Sequence, residues 1–475
     1  MLIVYFLSAF AISGALLCLR NRVIQLLFIL LFLAEQTVLT VYAFCHLNEK
    51  DSVYFTFDSI GIILSSILTL LGYATFYHSY LYLKRHSDTQ RSQSIYYAAL
   101  IMLSASMNGA YFSEHLGTFW TSMEATTLCV SVLIYHERTP VALEATWKYV
   151  FICSVGISIA LVGILSISVA VISKEGLTDL HLSNIVAHAQ GMNTEWIKIA
   201  FVLALTGFSA KMGLFPLYAV CVDAHTVAPS PISAFISTTL MNVGFLGIFR
   251  MYTIIAQTDA LPWANRVLMI AGILSITLAA VQLLRIKHFK RAFAFSSMEH
   301  MGIVALALSA GGIGYYAAIL HIVLHSFAKA GLFYQIGQVY SVYNSYLIKD
   351  CGNYMKLNPV GAIVVILTFI CVTAIPPSGL FVSEFMVFKS LFAGDNYYIA
   401  IAALFLLTVI MFVIGKNFLH LLYYNGDGFT TPQSVKVNTS ETVSQFVLFG
   451  LIIYLGVNPP EFLSDLIKGA TAVLQ

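Results

Sequence analysis

Charge is what this chain has least of. Charged residues fill 10% of its 475 positions and hydrophobic residues 59%, with a mean hydropathy of +0.85. Soluble domains carry roughly 25% charged residues, so a water-soluble globule is excluded and a polytopic membrane protein is implied. Cysteine pattern is also missing. The seven cysteines (Cys18, Cys45, Cys129, Cys153, Cys221, Cys351 and Cys371) stand apart without a C-x-x-C pair, which argues for apolar filling and against iron–sulfur or zinc centres. No flavin or nucleotide motif and no quinone site is visible, so no cofactor is expected in this chain. No connection between apolar runs has room for a soluble domain. The first run, residues 2–19, has no basic segment before it and no small-residue cleavage site, and is expected to stay as a helix. The net charge of +2 says nothing about partners, and nothing points to nucleic acid.

What is present is a succession of apolar runs about 20 residues long, the length that crosses a hydrocarbon core. The expectation is an all-α polytopic fold with spans at 2–19, 23–45, 57–83, 94–111, 113–135, 145–173, 195–221, 229–254, 261–285, 292–311, 313–345, 359–391, 396–424 and 442–472, about fourteen in all. They read as one membrane domain: peripheral spans in 1–93, a first repeat of five spans in 94–254, a second in 261–424, and a last span in 442–475. Loops after odd-numbered spans hold Arg20, Arg22, Lys84, Arg85, Arg91, Arg138, Lys287, Lys290, Arg291, Lys349, Lys356 and Lys436. Those after even-numbered spans hold Lys50 and Lys174, with Arg250, Arg266 and Lys389 near helix ends. The positive-inside rule then puts both termini on the non-cytoplasmic side of the cell membrane. His181 and His188 fall in the longest outside loop, which reads as ordinary solvated chain or as a pH sensor.

Against that apolar background a few ionisable residues stand at membrane depth, where each costs a few kcal/mol or more unless it meets a partner or a watery cavity. Lys211 lies in FVLALTGFSAKMGLFPLYAV, and Pro216 interrupts the same helix and frees backbone groups that need partners. Glu124, in TFWTSMEATTLCVSVL, is a candidate partner. A lysine nearby holds a buried carboxylate ionised and its withdrawal lets it bind a proton, so the pair is either a proton switch or a static ion pair.

His321, His325 and Lys329 are spaced i, i+4, i+8 and share one helical stripe, a pattern suited to a proton relay. Two histidines at i, i+4 also suit a metal, but no carboxylate or cysteine completes a site close by in the chain, so none is expected. Pro376 and Pro377 break the twelfth run, with Glu384 two turns on. Two broken helices, each with one ionisable group, suggest inverted repeats around a site near the midplane. Glu144 and Lys148 form an i, i+4 pair. Glu35, Glu299, His300 and Lys416 complete the buried set, and Asp223 and His225 lie just past the seventh span.

Several of these stretches resemble the antiporter-like membrane subunits of respiratory complex I, multisubunit sodium/proton antiporters and energy-converting hydrogenases. They are KMGLFPLYAVCVDAHTVAPSPISA from Lys211, FKRAFAFSSMEHMG at 289–302 and IPPSGLFVSEF at 375–385, with EATTL at 124–128, LEATWKY at 143–149 and LHIVLHSFAK at 320–329. The EATTL and LEATWKY segments look most like component F of hydrogenase-4, of the formate hydrogenlyase type. The resemblance implies a proton channel in a redox complex such as a hydrogenase or an NADH:quinone oxidoreductase, with redox chemistry left to the other membrane and peripheral subunits. It makes Glu124 and Lys211 the coupled pair, Lys329 with His321 and His325 the central relay, and Glu384 the exit group.

There are departures. Asn242 stands where relatives often carry a lysine or histidine, so the relay there is expected to pass through water. The usual W-L-P-D-A-H reads AVCVDAH before and through His225, and the sequence ends at Gln475 without a long lateral helix. A cation/proton antiporter component and an ion-coupled module of an inorganic carbon uptake complex are the rival readings.

Overall fold

The computed structural model describes residues 1–18, 21–86, 88–175, 179–424 and 439–474. Arg20, Lys436 and Gln475, and the side chain of Lys174, lie outside the described residues. The chain divides into two compact units, one of Met1–Ile232, Thr239–Val267 and Asp465–Gln475, the other of Ser233–Thr238 and Leu268–Ser464.

The first unit begins with α1 (Leu2–Cys18) and α2 (Arg22–Cys45), a short antiparallel hairpin of β1 (Lys50–Ser52) and β2 (Phe55–Thr56), then α3 (Ser59–Arg85), α4 (Gln90–Tyr111), α5 (Leu116–Ile134) and α6 (Pro140–Glu175). After these come α7 (Leu182–His188), α8 (Thr194–Met212) and α9 (Ala219–Val227). The helix starts are legible chemistry: Asp58 accepts the Gly61 amide at 2.9 Å, and Asn193 accepts that of Glu195 at 3.0 Å, each satisfying a donor that the first helical turn leaves open. The loop expected around His181 and His188 is not all loop, since α7 occupies its middle.

The chain then passes through α10 (Ser230–Phe235), a π-helical turn at Ile236–Leu240 and α11 (Met241–Ala256), followed by α12 (Leu261–Leu283). The second unit continues with α13 (Phe289–Ala310), α14 (Ile313–Tyr343), α15 (Tyr354–Leu357), α16 (Pro359–Val372), α17 (Gly379–Ala393), α18 (Tyr397–Tyr423) and α19 (Val443–Val457), and α20 (Glu461–Thr471) runs from it into the first unit's last segment.

Two interruptions frame the chemistry. Residues 213–218 separate α8 from α9 and include a cis Phe215–Pro216 bond, and residues 373–378 separate α16 from α17 and include a cis Pro376–Pro377 bond. A third was not expected. Residues 442–472 read as one span, yet α19 stops at Val457 and α20 starts at Glu461. Pro459 and Pro460 are the reason: each lacks an amide proton and clashes with the carbonyl one turn back, and Asn458 before them is pushed out of the helical region.

Among the described residues nine helices are long and apolar enough to cross a membrane. The Ser230–Ala256 stretch and α13 are buried along their length, whereas α2, α6 and α18 turn large side chains such as Leu30, Phe151 and Phe405 outward. Apolar surface of that extent is unsustainable in water and natural in lipid. The protein is therefore an integral, multi-pass membrane protein built of helices.

Candidate functional site

In the first unit Lys211 sits in the last turn of α8, where the helix dipole favours a cation. The helix ends because Gly213 adopts the left-handed conformation (φ +73°), from which its amide bonds back to the Ser209 carbonyl at 2.9 Å. Gly244 of α11 packs against this end, and a Cβ there would meet the Lys211 carbonyl carbon at 2.8 Å. The Lys211 side chain is 1% exposed. Its ammonium donates to Thr126 Oγ1 and to Tyr149 OH, both at 3.0 Å, and lies 5.2 Å from the Tyr149 ring centroid.

Glu124, two residues from Thr126 on α5, is within electrostatic reach of Lys211, but no ion pair between them is formed among the described residues. It instead accepts a hydrogen bond from Ser154 at 2.8 Å, and its other oxygen is buried without a hydrogen-bond partner. The expected pair is thus brought to one neighbourhood but held apart, cation on hydroxyls and carboxylate on a hydroxyl. Asn242 is buried two residues after the π turn, and on α9 His225 is buried and Asp223 half-buried.

Other expected residues face elsewhere. Glu144 and Lys148 bond to each other at 2.5 Å on the exposed face of α6. One step along the helix rotates about 100°, so Tyr149 points inward while Lys148 points out. Glu35 accepts from Ser8 at 2.7 Å, across α1 and α2. Arg250 is more than a charge near a helix end: it is buried in α11, donates to the Tyr111 carbonyl at 2.9 Å and to that of Ser113, and lies 3.6 Å from Asp58.

The second unit assembles a longer set. Lys329 is fully buried on α14 and donates to Ser296 Oγ of α13 at 2.7 Å, and that hydroxyl approaches Glu299 Oε2 at 3.5 Å. His300, next to Glu299, has its Nδ1 3.1 Å from His321 Nε2 and 3.9 Å from Glu384 Oε1, and its Nε2 3.9 Å from Glu299 Oε2. His321 Nδ1 lies 2.9 Å from Ser383 Oγ, and the rings of His300 and His325 are 5.2 Å apart. Glu299 and Glu384 both line a cavity of about 390 Å³ whose other walls, among them Phe381, Phe385 and Met411, are mostly apolar. Lys416 is exposed on α18 and stands outside this set.

Sequence spacing put His321, His325 and Lys329 on one stripe, but it did not give His300 its central position. Nor did it single out Thr126, Tyr149, Ser154, Ser296 or Ser383. The clue available was that hydroxyls recur beside each buried charge, in MEATT, in FSSMEH and in LFVSEF.

Residues 113–411 match the family model described as NADH:quinone oxidoreductase/Mrp antiporter, transmembrane. A hydrogenase-4 component F homolog from Methylacidiphilum infernorum is 31% identical over 376 residues, covering 78% of this chain and 79% of that protein. Among solved structures, a chain of the Mrp complex from Dietzia sp. superposes with a TM-score of 0.87 at 15% identity, covering 100% of this chain and 97% of that one. A chain of respiratory complex I from Thermus thermophilus does so with a TM-score of 0.81 at 18% identity, covering 100% of both. With the family model spanning more than half of its length, this protein belongs to the antiporter-like membrane subunits of the NADH:quinone oxidoreductase and Mrp antiporter family.

Proposed function

We propose that this chain carries protons across a cell membrane as the antiporter-like subunit of a multisubunit redox complex of the hydrogenase-4 or complex I kind. In this reading the other membrane and peripheral subunits hold the redox centres and the chain itself holds none. About fourteen spans cross the bilayer, with broken helices at the seventh and twelfth, five-span repeats in 94–254 and 261–424, and both termini on the non-cytoplasmic face of the inner membrane.

The observation that carries the reading is the second unit's run of buried proton-holding groups at hydrogen-bonding or near-bonding distance. It goes from Lys329 through Ser296 to Glu299, then His300 and His321, with Glu384 at the cavity. Each member binds or releases a proton without moving far, and an ammonium, a carboxyl and an imidazole differ enough in affinity for a nearby charge to drive the proton along. Lys211 with Glu124 forms the input station: a redox step in a partner shifts charge there, and coupling passes the change on. Asn242 holds no charge and orders water where the proton leaves Lys211.

Lys211→Met in the assembled complex tests this. Redox-driven acidification of inverted vesicles should fall to background, and unchanged proton transport would overturn the assignment. A pH change that requires sodium and no redox partner would favour a cation/proton antiporter component instead.

A further inference from the structure

The second unit also has the geometry of a metal site. The chain offers no carboxylate or cysteine close in sequence to His321, but the fold supplies Glu384 from α17 and His300 from α13. Donor atoms of His300, His321 and Glu384 all lie within 4.8 Å of one another. Two ligands on one tetrahedral Zn²⁺, each at 2.0–2.1 Å, stand roughly 3.4 Å apart. His300 Nδ1 is 3.1 Å from His321 Nε2 and 3.9 Å from Glu384 Oε1, on either side of that value.

Hydrogen-bond directions make the imidazoles suitable. Ser383 Oγ donates its proton to the Leu380 carbonyl at 3.0 Å, so it accepts from His321 Nδ1–H at 2.9 Å. His321 therefore turns the lone pair of Nε2 toward His300. If His300 takes an ion at Nδ1, its proton moves to Nε2, which faces Glu299 Oε2 at 3.9 Å. Closing that gap to hydrogen-bond distance on loading would complete the carboxylate–histidine–metal arrangement that orients a ligand ring from behind. Glu384, the carboxylate of the set, also lines the adjoining cavity together with Glu299.

We propose that His300, His321 and Glu384 bind one divalent transition-metal cation of the Zn²⁺ class, with Glu299 as the positioning residue behind His300. Glu299 and Glu384 together offset the two positive charges of the ion, and Lys329 stays on Ser296. The ion takes the lone pair of His321 that otherwise accepts the His300 proton, so metal and proton compete for one path. The binding stands by itself; the competition rests on the proton-transport reading above.

Zn²⁺ binding to the purified complex in lipid nanodiscs tests the site, in a His115→Asn/His181→Asn background that removes the other His/Asp cluster, at His115, Asp179 and His181. One ion per chain is expected, with X-ray absorption showing two imidazoles and oxygen in the first shell. His321→Asn and Glu384→Gln should each weaken binding at least tenfold, and Glu299→Gln roughly 10- to 100-fold, the range for a lost outer partner. A first shell without imidazole, or equal affinity in His321→Asn and Glu384→Gln, overturns the proposal. Zn²⁺ bound at these ligands with proton transport undiminished upholds the site and counts against the relay.

Discussion

The two buried lysines are held in different ways. Lys211 has two hydroxyl acceptors at 3.0 Å and an aromatic face, while Glu124 takes a hydrogen bond from Ser154 on one of its oxygens. Lys329 has one hydroxyl, Ser296 at 2.7 Å, which leads to Glu299 and then to the imidazoles. Both sites share a unit, a lysine on a hydroxyl carried by the helix that carries the carboxylate: Thr126 with Glu124 on α5, Ser296 with Glu299 on α13. The second continues into histidines through the contact of His300 with His321. The first site thus suits holding a charge that a neighbour can perturb, and the second suits passing a proton on.

The largest expected effect comes from removing either ammonium. If the two stations act in series, as the proposed function requires, Lys329→Met should abolish redox-driven proton transport as completely as Lys211→Met. If Lys329→Met leaves more than a small fraction of transport while Lys211→Met leaves none, the stations are not in series and the contrast between them has no bearing on transport.

The number of acceptors sets the next effect. Stripping a hydrogen-bond partner from a buried charged group costs about 1–3 kcal/mol. Tyr149→Phe leaves Lys211 with Thr126 and a ring face, whereas Ser296→Ala takes the single hydroxyl that Lys329 contacts among the described residues. Ser296→Ala should therefore slow transport more than Tyr149→Phe, by roughly tenfold if the difference is near 1.4 kcal/mol. Equal losses would show that the hydroxyl count does not govern either lysine.

How much of this was legible depends on what each residue's signal was. Apolar length and scarcity of charge announced a helical membrane protein, and Pro216, Pro376 and Pro377 lie within the interruptions seen after α8 and α16. Pro459 and Pro460 carried the same information about α19 and α20, but the hydrophobicity around them read as one continuous span. Lysine and glutamate stand out in an apolar run because their burial is costly, so Lys211, Lys329 and Glu384 were found. Hydroxyl residues pack into helices at little cost and carry no such flag. Thr126, Ser296 and Ser383 became meaningful only when tertiary packing placed them against a charge. Helical phase separated Tyr149 from Lys148, but which face of α6 meets α8 is decided by packing. His300 sat in plain view beside Glu299, and only the approach of α14 and α17 made it a junction.

Close packing differs between the units too, which gives a smaller, structural prediction. Helices in lipid gain from close backbone approach at small residues. A Cβ on Gly207 of α8 would run into the Gly156 carbonyl of α6 and lie 2.7 Å from both Ala160 N and Cβ. On Gly272 of α12 it would meet the Gly302 carbonyl at 2.8 Å and the Leu306 side chain at 3.0 Å, part of which can rotate away. Gly207→Ala should destabilise the purified chain by about 1–3 kcal/mol, the usual cost of overpacking, and Gly272→Ala by less. Thermal unfolding in detergent measures both, and the reverse order would place the tighter seam in the second unit.

The smallest expected effect lies outside the membrane, in the loop whose sequence suits either solvated chain or a pH sensor. His181 pairs through Nδ1 with Asp179 and through Nε2 with the Val53 carbonyl at 2.8 Å, so both nitrogens face acceptors and the imidazolium is the form that fits. The bond to Asp179 raises the affinity of His181 for its proton above the usual 6.5, and the same bond lowers that of Asp179 below 3.8. The signs set a window. A raised histidine contributes fully below 6.5 and is lost as pH climbs through its higher folded value. A depressed carboxylate contributes above 3.8 and is lost only as pH falls through its lower folded value. The latch between the β1–β2 hairpin and the start of α7 therefore holds in mild acid and loosens in mild alkali. Both groups are partly exposed, so the effect should be a modest rise in amide exchange across α7 between about pH 5.5 and about pH 8.5, after correction for intrinsic rates. His181→Asn should flatten that difference, while the lysine sites, which share no residue with the latch, keep their transport. Exchange across α7 that is independent of pH in the unaltered protein would return this loop to ordinary solvated chain.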